Sequence, residues 1–168
     1  MSTKEGFTLK KIAILLSIIL ILAAFAGCNG ASSASADAKT MDVQNFADSV
    51  LEQVAFKDEH MAASERVLSA IYGVDFAKVK SYCVYISGTN STAEEIAAFE
   101  VNDIADVDSI KAVLTQRITD QKNAYTNYNP VELKKIENAY IAAKGKYVVM
   151  IVADDTSSAE KLFNEALK

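Results

Sequence analysis

The stretch AYIAAKGKYVVMIVA, residues 139–153, decides the fold. Its two apolar arms, Ala139 to Ala143 and Lys146 to Ala153, flank Lys144-Gly145, and a glycine between two such runs marks a tight hairpin. Tyr147 to Ala153 is apolar at odd and even positions alike, so both faces of this strand are expected to be covered, well inside a sheet. Asp154-Asp155-Thr156-Ser157 then caps a last helix carrying Ala159, Leu162, Phe163 and Ala166.

Upstream of the hairpin the helical period takes over. From Asp106 to Tyr128 the residues Ile110, Val113, Leu114, Ile118, Tyr125 and Tyr128 fall on one stripe until Asn129-Pro130 breaks it, and a short helical turn covers Val131 to Asn138. Val79 to Ser87 (VKSYCVYIS) is rich in β-branched and aromatic residues and reads as a strand, with turn chemistry in Gly88-Thr89-Asn90. Glu94 to Val101 is ambiguous, since Ser91 and Thr92 each stand three residues before a glutamate as in a helix capping box, and a strand partner is favoured. Two helices precede these strands. One has Val43, Phe46, Ala47, Val50, Leu51 and Val54 behind the capping candidates Thr40 and Asp42; a shorter one in residues 62–72 has Val67, Leu68 and Ile71 on a face and Gly73 to stop it. The predicted order is ααββαα′ββα, a single α+β domain over residues 41–168 with a mostly antiparallel four-stranded sheet packed with helices.

Residues 1–27 read as an export signal: Lys4, Lys10 and Lys11, then the uncharged run Ile12 to Ala26, then small residues before a cysteine. That run of 15 residues falls short of the ~20 that a transmembrane helix needs. Phe25-Ala26-Gly27-Cys28 resembles the lipobox of bacterial lipoproteins, with Phe25 where the pattern prefers leucine. The resemblance implies cleavage before Cys28 and diacylation of its thiol, hence a palmitate-type lipid anchor on the outer face of the cell membrane. An uncleaved signal anchor is the competing reading, and it leaves the body on the same side. Residues 28–40 are then the lipidated cysteine and a small, polar tether of ~20 Å r.m.s. span.

The full sequence carries a formal charge of −5, and the signal removes three lysines against one glutamate. No basic face is apparent for nucleic acid, and an acidic body is expected to stand off an anionic lipid surface. The membrane, reached through the lipid, is the expected partner, with a cell-envelope protein or a small ligand beside it. With Cys28 lipidated, Cys83 is the remaining thiol, and it lies in an apolar run that suits a small buried side chain. A nucleophile there needs a base, and the single histidine, His60, sits in the charged segment Lys57-Asp58-Glu59-His60, which looks solvated.

The region beyond the tether resembles the bacterial lipoprotein family catalogued as domain of unknown function 4358. The resemblance rests on AIYGVD (70–75), EEIAAFE (94–100), the Arg117 helix ending in YTNYNP (125–130), and IENAYIAAKGKYVVMIVADD (136–155). It implies a Gram-positive origin and an extracytoplasmic location, and brings no activity.

One polar pair stands out. Arg117 shares a stripe with Ile110, Leu114, Gln121 and Tyr125, and Glu95 shares a strand face with Phe99 and Val101, so the two are placed to meet inside. They form either an ion pair fixing helix against sheet or, with Arg117 lining a pocket, a site for an anionic ligand. Asp103, Asp106 and Asp108 lack the spacing, glycine and closing glutamate of an EF-hand and suit helix capping. Ser158-Ala159-Glu160-Lys161 matches S-x-x-K without its companion motifs and suits a helix start. Tyr82, Tyr85, Tyr140 and Tyr147 fall in strands, where tyrosines fill core edges or form a sticky face. No catalytic constellation, metal-ligand cluster or cofactor motif emerges. The expectation is a tethered, non-enzymatic binding or interaction module; the alternative is a small cell-envelope enzyme or anionic-ligand sensor around Glu95, Arg117 and Tyr147.

Overall fold

In the computed structural model, which describes residues 39–168, helix α1 (Val43–Gln53) opens where the Asp42 carboxylate accepts the Asn45 N–H at 2.9 Å. That contact satisfies one of the N–H groups a helix start leaves without an intrahelical partner. The signal, Cys28 and most of the tether lie outside the described residues. In chain order there follow β1 (His60–Ala62), α2 (Glu65–Ile71), β2 (Val79–Ser87), β3 (Glu95–Val101), α3 (Val107–Tyr128), α4 (Leu133–Glu137), β4 (Tyr140–Lys144), β5 (Tyr147–Val152) and α5 (Ser157–Ala166).

The sheet runs β1-β2-β3-β5-β4, each neighbour antiparallel. The α+β class and the antiparallel sheet agree with the sequence reading, and Glu95–Val101 is a strand rather than a helix. The strand count does not: among the described residues there are five, because β1 inserts between the first two helices. Three residues are too few to show alternation, and the charged run before them hides the strand. Its arrival does leave a mark in Gly88. There the Glu59 carbonyl takes the Gly88 N–H at 2.8 Å, and a Cβ would lie 3.0 Å from that oxygen.

Helices cover both faces of the sheet. On one, α1 and α5 bury Phe46, Val50 and Phe163 against Ile96, Ala98, Val149 and Ile151, with the Phe46 and Phe163 rings edge-to-face at 5.8 Å. On the other, α2, α3 and α4 bury Leu68, Ile110, Leu114 and Ile136 against Ala97, Phe99, Val148 and Met150. β3 and β5 are therefore buried along their whole length, as the two-sided apolar run of β5 requires. The β4–β5 hairpin turns on Gly145-Lys146, with Gly145 at φ +58°, the sign that a type II′ turn demands at its first central residue. Tyr128, placed on the apolar stripe of the long helix by its period, is instead exposed and meets Tyr125 edge-on.

Candidate binding site

Glu95 opens β3 and Glu94 immediately precedes it, and the two adjacent carboxylates take different partners. Glu95 points to the face covered by α2 and α3. Arg117, from the middle of α3, meets it side-on: Nε lies 3.1 and 3.2 Å from the two oxygens and Nη2 lies 2.7 Å from Oε2. The side chains are 19 % and 2 % exposed, so this is a buried, bidentate pair. Tyr72, at the end of α2, donates its hydroxyl to Glu95, and Gln121, one turn after Arg117, donates Nε2 to Glu95 Oε2 at 2.8 Å. The Arg117 guanidinium also stands 5.4 Å from the Tyr72 ring centre.

Those donors occupy the acceptor sites a carboxylate offers. Glu95 is thus saturated, and its work is to hold Arg117, Tyr72 and Gln121 in place. Burial and the neighbouring carboxylate push the Tyr72 phenol well above its ordinary value, so it remains a donor. For Arg117 burial opposes the charge but Glu95 outweighs it, and the guanidinium is held above its usual value.

Glu94 is tied differently. It accepts the N–H groups of Lys57 at 2.9 Å and Asp58 at 3.1 Å and the ammonium of Lys135, from α4, at 2.8 Å. Lys135 also reaches Glu132 at 3.0 Å, and Glu132 takes the Ala93 N–H at 2.9 Å. Burial pushes the Glu94 carboxyl up, yet Lys135 and the two backbone N–H groups bring it below its usual value. Burial likewise works against the Lys135 ammonium, and its two glutamates raise it. The charged segment before His60 is thus stitched inward through its backbone.

Beside the Glu95 cluster lies a cavity of about 240 Å³. Val67, Ile71 and Ile86 are its apolar lining, and the other eight lining residues, Glu94, Glu95 and Arg117 among them, are polar. Gln121 is 3 % exposed, and its Oε1 has no partner among the described residues, while Nε2 is held by Glu95 and by the Ala93 carbonyl at 3.3 Å. Larger hollows, of about 390 and 510 Å³, lie toward the other end of β3 around Glu100 and Tyr147. There Glu100 is met by Lys80 at 2.8 Å and Ser81 at 3.1 Å, and the Met41 N–H is donated to the Tyr147 hydroxyl at 3.0 Å.

Glu95 and Arg117 are therefore brought together as expected from the sequence, whereas Tyr147 is not part of their site. Tyr147 pairs with Glu100, an odd number of residues from Glu95, and so faces the α1 and α5 side. His60 is half-buried rather than solvated, its Nδ1 3.0 Å from the Asp58 carbonyl and its ring edge-on to Phe56, and its buried Nε2 has no partner among the described residues. It pairs with Ser87, four residues along β2 from Cys83, or ~13 Å by strand rise, which rules out a Cys–His dyad. Burial pushes the Cys83 thiol up to about 11. We expect iodoacetamide at pH 7.5 to leave Cys83 unmodified in the folded chain and to alkylate it fully in urea; fast modification of the folded form, read by peptide mass, contradicts this burial.

Asp103 accepts the Ala105 N–H at 3.0 Å, and Asp106 lies 3.6 Å from Lys78. Among the described residues no cluster of His, Cys, Asp and Glu has the geometry to hold a metal ion, and no helix is long and apolar enough to cross a membrane. Ser158 and Lys161 lie in the first turns of α5.

Sequence reasoning missed Tyr72 and Lys135. Tyr72 stands within AIYGVD just before Gly73, whose φ of +67° stops α2, so the glycine marked its place but not its partner. Lys135 stands in a charged run on a helix of five residues, which offers no periodicity. Gln121 was visible on the Arg117 stripe, but nothing in the sequence shows that its carbonyl goes without a partner.

No curated protein and no solved structure matches the chain. The family model described as Domain of unknown function (DUF4358) matches residues 52–153, a span that holds all five strands and every member of the Glu94 and Glu95 clusters. The match covers more than half of the sequence, and the chain belongs to the DUF4358 family.

Proposed function

We propose that this chain is an exported lipoprotein, anchored through diacylated Cys28 on the outer face of the cell membrane, whose domain is a non-enzymatic binding module for a small ligand. The observation that carries the binding reading is the cavity of about 240 Å³ that Val67, Ile71 and Ile86 line together with Arg117, whose Nη1 takes no part in the Glu95 pair. Catalysis finds less support. Glu95 has no lone pair left for a substrate proton, and Cys83 has no base.

Heat unfolding of the full chain against a mixed set of small anions, cations and neutral molecules tests the binding reading. A ligand held here at a hundredfold excess over Kd stabilises by about 2.7 kcal/mol. A set in which nothing raises Tm, or in which the effect survives Val67→Trp, which fills the cavity, removes the reading. The anchor is tested separately. Cys28→Ser is expected to abolish lipid labelling and to release protein from the membrane fraction, because two acyl chains supply the stable attachment. A variant that still sediments wholly with membranes shows that the apolar run of residues 12–26 holds it there.

A further inference from the structure

We infer that the end of the domain bearing the β4–β5 turn docks on an anionic lipid surface, through Lys39, Lys144 and Lys146 and the exposed Ile104 beside them. This rests on the membrane anchoring proposed above and adds which end of the domain meets the bilayer.

Position is the first ground. The described residues begin at Lys39, which lines the same hollow of about 510 Å³ as Lys144 and Lys146 of the hairpin turn. The segment leading back to Cys28 therefore joins the domain at this end. Ile104 and Leu167 line the hollow as well, and Ile104, 63 % exposed, is an aliphatic side chain left in water.

Charge is the second. The chain is acidic, at a formal −5, yet the ion pairs among the described residues leave out all three lysines. Lys146 donates to the Asn102 carbonyl at 2.6 Å, which leaves its charge unmatched. Glu100, on the same hollow, is met by Lys80 at 2.8 Å, and Asp106 lies 3.6 Å from Lys78. Asp103, which caps the Ala105 N–H, and Glu165, on the adjoining hollow, still leave the three lysines in excess.

The occupant follows. Residues 29–38 (NGASSASADA) carry no large apolar side chain and a single carboxylate, so they match neither Ile104 and Leu167 nor three lysines. An anionic bilayer offers dense negative charge to the lysines and an apolar boundary to the two aliphatic side chains. The acidic remainder of the domain does not prevent this, because its charges are screened beyond ~8 Å in physiological salt. Each lysine near such a surface favours the docked form by about fivefold. That is weak for a free protein, but a lead-in of roughly 20 Å keeps the domain at high local concentration.

The full chain, reconstituted in vesicles, is labelled with a fluorophore at Ala105→Cys, next to Ile104, or at Val131→Cys, beyond the other end of α3 and roughly 33 Å away by helix rise. Both positions are exposed, and Cys83 is buried. A quencher on the lipid headgroup reports nearness to the bilayer. With about a third of the lipid phosphatidylglycerol, quenching at 105 is expected to exceed that at 131 by about threefold or more. It is expected to fall on phosphatidylcholine alone and in the Lys39→Gln, Lys144→Gln, Lys146→Gln triple variant. Quenching at 105 that is unchanged by both overturns the docking, since the lead-in alone then sets the distance; equal quenching at 105 and 131 overturns it as well. The mass of the Cys28 peptide reports diacylation independently. An unlipidated chain with lysine-dependent quenching at 105 removes the anchor reading and leaves the docking standing.

Discussion

Replacing Arg117 by methionine is expected to destabilise the domain by about 3 kcal/mol, at the lower end of the ~3–5 kcal/mol typical when one partner of a buried ion pair is removed. The lower end applies because Tyr72 and Gln121 still donate to Glu95 in the variant. For a domain of this size the loss appears as a fall in Tm of roughly 10 °C. Adding Glu95→Gln removes the stranded charge while keeping an acceptor for the Tyr72 hydroxyl and the Gln121 amide, and the double variant is expected to recover most of the loss. A double-mutant cycle by urea unfolding measures this coupling. A single variant within about 0.5 kcal/mol of the parent shows that Glu95 and Arg117 do not hold each other, and one whose loss the second change fails to recover places it in packing.

Lys135→Met is the more damaging change. It leaves Glu94 and Glu132 to face the same buried space with no cation between them, and a loss at the upper end of the same range, about 5 kcal/mol at pH 7.5, is expected. The pH dependence identifies the cause. In the parent chain Glu94 titrates below its ordinary 4.5, so its contribution is complete above that pH and is lost as pH falls through the lowered value. Lys135 titrates above its ordinary 10.5, so its contribution is complete below that pH and is lost as pH rises through the raised value. In the variant Glu94 loses its cation and its pKa rises, so protonation relieves it over a pH range in which the parent keeps its Glu94 contribution whole. The deficit is therefore expected to narrow from pH 7.5 to pH 4.5, by urea unfolding at each. An equal deficit at both assigns the loss to the lysine stem.

The elements that the sequence made legible are those long enough to repeat. The period of α3 and the alternation of β3 place Arg117 and Glu95 on facing surfaces, and the structure joins them. The two-sided apolar run of β5 announces its place beside β3. Glu94 to Val101 shows propensity losing to context: the glutamates that imitate a helix capping box are spent on lysine, arginine and backbone partners that only the folded chain supplies. What stayed hidden is short or depends on registration between strands. β1 has three residues, α4 has five, and the face taken by Tyr147 is fixed by its pairing with Glu100. The orphaned oxygen of Gln121 is hidden for a further reason, since it depends on which way one amide turns.

The adjacency of Glu94 and Glu95 has a consequence for how β3 finds its place. Most strands are indexed by an apolar face and a polar one, and a slip of one residue is punished because it exchanges them. β3 is buried on both faces, so Ile96 to Phe99 carry little such information. The acidic doublet supplies it. If the strand slides one way, Glu94 fills the slot before Arg117 while Ala93 faces Lys135; if it slides the other way, Glu95 fills the slot before Lys135 while Ile96 faces Arg117. Either misalignment takes from one buried cation the carboxylate that β3 brings it, a cost that the correct alignment alone avoids. The two charges thus act as an index mark for threading the central strand between its neighbours.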